Sequence, residues 1–319
     1  MITLVTPDVE ILDNKNYIRS MVFAGRLTHG LEGKYISDED DIAYIERMKN
    51  HGHGRVFEFG TVYLTIDEHS VSGKKDIPFF LTNRYSKVRS ELHDNGHISY
   101  HITTNYRVLL QGYSKNWKTA IRTNYKDNLL YLLSDDTVLK GQTEHHVPRI
   151  MVLWKNISRV TADSFRTHTM LSSLMQSTRY CNYSNERFGK SIKIARSVMW
   201  DELWHATHEL SDITYNTTDI KKLNISPACK AYLLSVDNSA KTYNKLTLGK
   251  YGDKVRAECS RGLLPLDVAT MFVQCGFVDD WDDFLRQRIY ERGAHPDARY
   301  ITSVLLDKDQ DGIFTKNIE

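Results

Sequence analysis

The 319-residue sequence is short of the residues that most readily announce a function. It has only four cysteines, Cys181, Cys229, Cys259 and Cys275, and none of them forms a C-x-x-C pair. No histidine spacing beside them suits zinc, so neither a disulfide framework nor a cysteine-based metal site organises the chain, and no metal is expected. Four scattered thiols suit a reducing cytoplasm, which is the expected location. There are six prolines, and no Pro/Gly/Ser-rich linker or internal repeat divides the chain, so residues 1–319 read as one domain. Charge of one sign is lacking too: 42 Lys and Arg face 40 Asp and Glu, a formal net charge of +2. That balance gives no case for a nucleic-acid polymer or a membrane surface as partner. No apolar run approaches the roughly 18 residues of a spanning helix, and the N-terminus lacks the basic-then-apolar pattern of a signal peptide.

Familiar motifs are also missing. There is no G-x-G-x-x-G after a strand, no Walker A loop and no G-x-S-x-G elbow. A dinucleotide held in the Rossmann manner is therefore not expected. His93, His97 and His101 are spaced by four, which on a helix would make a metal face. Asn95-Gly96 between them breaks such a helix. The tail Asp307-Lys308-Asp309-Gln310-Asp311-Gly312 begins like a calcium loop, but Ile318 stands where the bidentate Glu is needed, so it reads as a solvated acidic tail.

What is present is a globular composition, 41% hydrophobic and 26% charged, with mixed periodicities. Residues 38–50 read as a helix with Asp38 as N-cap, ended by Gly52-His53-Gly54. Thr61 to Ile66 reads as a strand, a tight turn falls at Asp94–His97, and Val147 to Trp154 suits a buried strand. Tyr106–Tyr113 and Asn128–Leu133 look helical, and Tyr251-Gly252-Asp253 reads as a turn. From Val268 to Tyr290 the apolar spacing suggests helix, with a break near Gly276. The class is α+β.

The segment richest in chemistry is Arg166 to Ser184. Ser177-Thr178-Arg179 combines two hydroxyls, backbone N–H groups and a planar guanidinium, a set that matches phosphate oxygens. A polar turn carrying a surface arginine would have the same composition. Ser260-Arg261-Gly262-Leu263-Leu264-Pro265 and Trp281-Asp282-Asp283-Phe284-Leu285-Arg286-Gln287-Arg288 each pass alone for a helix end or an amphipathic helix.

Taken in order, these segments resemble the flavin-dependent thymidylate synthases. The family's Arg-His-Arg, following Ser and Ser-x-Arg-Tyr appear here as Thr167-His168-Thr169, Ser172 and Ser177-Thr178-Arg179-Tyr180. Its Ala-Arg-x-x-Leu-Pro is similar to Ser260 through Pro265, and its Trp-x-x-Phe-x-x-x-Arg to Trp281, Phe284 and Arg288. Gly52-His53 through Phe57-Glu58, and Thr104 through Leu110, also have counterparts. The likeness covers most of residues 40–300, with a partly matching insertion at about 67–146.

The resemblance implies an α/β fold with a central antiparallel sheet and flanking helices, assembled as a homotetramer with active sites shared between subunits. It implies methylation of dUMP to dTMP with FAD, NADPH and 5,10-methylenetetrahydrofolate. By position, Ser177, Thr178, Arg179 and Arg261 would hold the nucleotide and its phosphate. Ser164 would face the base. Arg288 would lie against the pyrimidine and stabilise its anionic form as the catalytic group. Thr167, His168, Thr169 and Ser172 fall on the flavin side.

The departures from the pattern are concentrated there. Both motif arginines are threonines, the His of Glu-His is Phe59, and an Asn-x-Arg pair aligns with Phe277 and Asp279. Each lost charged hydrogen bond costs about 1.5–3 kcal/mol of binding. Asp279 would repel a pyrophosphate, with Arg292, Arg299 or Lys222 as candidate compensating cations. Two other readings stay open: folate-dependent C5 hydroxymethylation of a pyrimidine deoxynucleotide, and a nucleotide-binding relic without catalysis.

Overall fold

The computed structural model describes residues 1–31, 33–69, 71–112, 138–208 and 210–314. The expected helix at Asn128–Leu133 lies outside the described residues. The strands are β1 (Ile2–Val5), β2 (Asp8–Leu12), β3 (Thr61–Asp67), β4 (Lys87–Leu92), β5 (Ile98–Asn105), β6 (Val138–Lys140), β7 (Arg149–Ser158), β8 (Ser172–Met175), β9 (Ile192–Ala195), β10 (Ile213–Tyr215) and β11 (Ala269–Phe277). The helices used below are α1 (Tyr17–Leu27), α2 (Asp38–Asn50), α3 (Arg159–Phe165), α4 (Val278–Leu285) and α5 (Pro296–Asp307).

The fold is α+β with antiparallel sheets and packed helices, as expected, and among the described residues the strands form three sheets. Two are four-stranded and antiparallel, in the orders β2-β7-β11-β8 and β4-β5-β3-β6. The third, β10-β1-β9, includes a parallel pair.

The sheet β2-β7-β11-β8 is buried on both faces, and the period of two in a strand separates its side chains cleanly. Val152, Trp154 and Phe272 face a core made with Phe165, Trp281, Phe284, Ile301 and Leu305. Their neighbours Met151, Leu153, Val273 and Cys275 face a core shared with α1, α2 and the sheet carrying β3 and β5. A strand buried on both sides shows no polar alternation. That is why Val268–Tyr290 reads as helix throughout: its first half is β11, and the helix begins at Val278, running as α-helix to Leu285 and as a π-helical turn over Arg286–Tyr290. Gln274 is a fully buried polar residue within β11. Its amide accepts from Trp154 Nε1 at 2.9 Å and donates to the Phe165 carbonyl at 3.3 Å, tying the sheet to the end of α3.

Several local expectations hold and others shift. The helix spans Asp38–Asn50, with Ser37 rather than Asp38 as N-cap, its side chain accepting from the Asp40 N–H. It ends in a Schellman closure: the His53 N–H reaches the Met48 carbonyl at 2.9 Å, the Gly52 N–H reaches Lys49 at 3.0 Å, and Gly52 takes φ +73°. At the β4–β5 turn only Gly96 has positive φ, and the Asn95 side chain accepts from the His97 N–H. The tail is not simply solvated. Buried Asp309 accepts from the Ile313 and Phe314 N–H groups, and Phe314 packs on Trp281 in the core.

Candidate active site

The segment Arg166–Ser184 is built around β8, which pairs with β11 from Ser172↔Cys275 to Met175↔Phe272. Three groups of functional side chains follow along it. At the N-terminal side, α3 ends at Phe165 and the chain turns through Thr167–Met170. Arg288 reaches this turn from a π-helical stretch, Arg286–Tyr290, that continues α4. A π-helical turn widens the helix and re-aims side chains, a common device at functional sites. Arg288 Nη2 donates to the Ser164 carbonyl at 2.7 Å and to Thr167 Oγ1 at 3.0 Å. Its Nε is buried with no hydrogen-bond partner among the described residues, and so is His168 Nε2. His168 lies edge-on to Phe284, ring centres 4.9 Å apart. Burial, with the Arg288 charge adding to it, pushes the His168 pKa down to about 4, so the imidazole is neutral near pH 7.

In the middle, Thr169, Ser172 and Ser173 line a cavity of about 630 Å³. Its other walls bring Arg55 and Glu58 from the Gly-His segment, with Arg84, Arg107 and Arg166. Four guanidinium groups and one carboxylate thus line the cavity, and Arg166 is also paired with Asp163 at 3.1 Å, so Arg55 and Arg84 carry the excess of positive charge. Arg107 pairs with Glu58, and Arg84 Nη2 donates to the Thr169 carbonyl at 3.1 Å. Ser172 is 4% exposed and its Oγ has no partner among the described residues.

At the C-terminal side, Ser177 and Tyr180 line a second cavity of about 430 Å³ with Thr28 and His29. The two cavities share Gly52, Gly54 and Arg55, so the segment closing α2 stands between them. The Ser177 N–H bonds the Thr28 carbonyl at 2.9 Å, and Ser177 Oγ accepts from the Arg179 N–H at 3.2 Å. Thr178 is buried, and Tyr180 stacks on His29 at 4.8 Å. Arg179 is half-exposed and pairs with Glu258 at 2.6 Å, bringing the turn to the short helix that precedes exposed Arg261.

The structure therefore joins Ser164, Thr167, His168 and Arg288 in one corner, Thr169 and Ser172 in the first cavity, and Ser177 with the second. Arg179 lies beside the Arg261 segment through Glu258. Among the described residues, no hydrogen bond or ion pair links Arg288 to Ser177, Thr178, Arg179 or Arg261, and Arg288 lines neither cavity. Arg55 and Arg84 were not singled out by the sequence reading. Arg84 sits in the partly matching region, where no motif marks it, and Arg55 is one residue beyond the Gly-His-Gly that ends α2. Asp279, expected to repel a pyrophosphate, is paired with Lys87, whose Nζ lies 2.7 Å from its carboxylate. Of the proposed compensating cations, Arg299 donates to the Glu291 carbonyl.

Residues 100–310, more than half of the chain, match the family described as thymidylate synthase complementing protein. The chain belongs to that family. Among solved structures it is similar to thymidylate synthase X from Helicobacter pylori with FAD and dUMP, at 14% identity, 50% of this chain and 66% of that one covered, TM-score 0.33. The aligned part is just under two thirds of that relative's length. It is also similar to a UMP/dUMP methylase, PolB, from Streptomyces cacaoi bound with 5-Br dUMP, at 11% identity, 95% of this chain and 89% of that one covered, TM-score 0.37. No curated protein gives a significant match.

Proposed function

We propose that this chain methylates C5 of a uracil deoxynucleotide, converting dUMP to dTMP, with 5,10-methylenetetrahydrofolate as carbon donor. The observation that carries the reading is the placing of the family segment. Thr169 and Ser172 from its first part and Ser177 from its second line two adjoining cavities that share the Gly52–Arg55 wall. Bound FAD, reduced by NADPH, would supply the hydride that completes the methyl group.

The residues present fit such a cofactor. Arg55, Arg84, Arg107 and Arg166 offset the charge of a pyrophosphate, and the unpartnered Ser172 hydroxyl offers a hydrogen bond in the same cavity. Thr169 lines this cavity, whereas Thr167 and neutral His168 form its neighbouring corner. Ser177, Thr178, Arg179 and Arg261 hold the nucleotide phosphate, with Arg179 exchanging its bond to Glu258 for the ligand. Arg288 is clamped by the Ser164 carbonyl and the Thr167 hydroxyl, and its fixed charge stabilises the anionic pyrimidine as it forms. The working assembly is a homotetramer whose sites are shared between copies.

The test is the visible absorption spectrum of the purified protein before and after adding FAD, followed by product analysis with dUMP. A bound-flavin spectrum near one equivalent and formation of dTMP are expected. A protein that takes up no FAD and makes a hydroxymethylated nucleotide would replace this reading with C5 hydroxymethylation. Nucleotide binding without turnover would leave a binding protein.

A further inference from the structure

Away from the arginine-lined cavity, the β4–β5 hairpin carries histidines that the proposed function does not use. We propose that Glu91, His101 and His145 form a binding site for a first-row divalent transition metal, Zn²⁺ by donor preference. Glu91 lies on β4 and His101 on β5. Their registers, Glu91↔Ser99 and Arg89↔His101, make them diagonal neighbours on one face of the sheet. His145 arrives from the segment before β7. One donor atom from each of the three lies within 4.8 Å of the others. His101 Nε2 is 2.8 Å and His145 Nε2 3.5 Å from the same Glu91 oxygen, and the two rings stack with centres 4.8 Å apart.

The surroundings decide which nitrogens are available. His101 is buried, and its Nδ1 is engaged by the hydroxyls of Thr65 at 3.2 Å and Thr143 at 3.4 Å, so Nε2 is the nitrogen turned to the cluster. His146, next in sequence to His145, is saturated. Its Nδ1 accepts from the Thr143 N–H at 3.0 Å, and its Nε2 lies 2.9 Å from the Leu64 carbonyl. That anchor holds the backbone while His145, with a 40% exposed side chain, is free to adjust. Two imidazoles and one carboxylate are a donor set that suits zinc, and three protein ligands leave the fourth tetrahedral position to water. A cavity of about 490 Å³ lined by Glu91, His93, His101 and Thr143 provides room for it. Tetrahedral bonds of about 2.0–2.2 Å set ligand edges of roughly 3.4 Å, which the present 2.8 and 3.5 Å separations bracket. A His101–Glu91 hydrogen bond thus becomes a pair of metal bonds after small side-chain movements. The metal would fasten the hairpin to the chain entering β7. This site differs from the helical His93, His97, His101 face considered from spacing, because the hairpin keeps only His101 of that trio.

The test uses the full-length, tag-free protein, stripped with EDTA and titrated with Zn²⁺ alone by calorimetry. Co²⁺ substitution then reports coordination by its visible absorption. About one tight equivalent per chain with a tetrahedral cobalt spectrum is expected. His145→Gln, a change at a half-exposed side chain, and Glu91→Gln should each abolish that equivalent. Thr65→Val should weaken it by about 10–100-fold through loss of the orienting hydroxyl. His97→Gln should leave it intact. Absence of a stoichiometric equivalent in the parent protein, or its survival in both His145→Gln and Glu91→Gln, would overturn the assignment. Neither outcome bears on the uracil-nucleotide reading, whose residues lie in other cavities.

Discussion

His168 and Arg288 share a corner, where burial, with the Arg288 charge adding to it, keeps a proton off the imidazole. In the unfolded chain the imidazole titrates near its ordinary value of about 6.5. Folded, it resists protonation down to about 4. Between those values the unfolded state binds more protons, so stability falls as pH drops from 6.5 toward 4 and is unaffected by this group above 6.5. His168→Gln removes that dependence. The stability advantage of the parent over the variant, measured by urea unfolding, should therefore shrink by about 2 kcal/mol between pH 7.5 and 5.0. An advantage that stays constant across that range would show that His168 keeps an ordinary pKa. Arg288 gives a functional counterpart. Lysine retains the charge but not the planar fork that meets both the Ser164 carbonyl and Thr167. Arg288→Lys should lower kcat about 100-fold with a smaller change in KM, the pattern of a group that acts mainly as charge develops. Steady-state kinetics with dUMP check this, and an unchanged kcat would remove Arg288 from the chemistry.

Two glycines show how elements hold the site. Gly276 lies in β11, and a Cβ there would collide with the Leu171 side chain, immediately before Ser172. Gly276→Ala should destabilise the protein by about 1–3 kcal/mol, as overpacking does, and disturb the Ser172 wall. At Gly52 a Cβ meets open space, so Gly52→Ala loses only the backbone term of its positive φ, about 1–2 kcal/mol. Urea melts separate the two, and cavity binding measured by FAD uptake should suffer more from the Gly276 change at matched stability. These positions also mark what could be read in advance. Helix Asp38–Asn50 was legible because its acids, apolar spacing and terminal glycine agree, and β3 because one strand's β-branched alternation is local. β11 was not, since its two faces enter different cores and its sequence presents Val273, Gln274, Cys275 and Gly276 without alternation. Along the candidate site, the motif from Thr167 to Tyr180 was legible as a string. Arg84 and Arg55 were not, because their role comes only from tertiary approach to Thr169 and Ser172.

At the scale of the whole molecule, the proposed sharing of a site between copies can be tested from the groups on either side of β8. Ser172 and Ser177 are separated by five residues of largely extended chain, up to roughly 16 Å. Arg288 approaches from the Ser164–Thr167 side, whereas Arg179 and Arg261 belong to the far side, beside Glu258. Among the described residues, no hydrogen bond or ion pair joins Arg288 to Arg179 or Arg261, which fits the proposed sharing of each site between copies. In the proposed symmetric assembly every copy would lend one end of a site and receive the other. The consequence is measurable without knowing the assembly in advance. Arg179→Ala and Arg288→Ala proteins should each be inactive alone. Co-expressed and randomly assembled, about a quarter of the sites should draw both intact groups from different chains. Recovery of activity toward that fraction is expected in the purified mixed oligomer. Mixed oligomers that form but stay inactive would place Arg179 and Arg288 of one chain in the same site, and the shared-site arrangement would have to be abandoned.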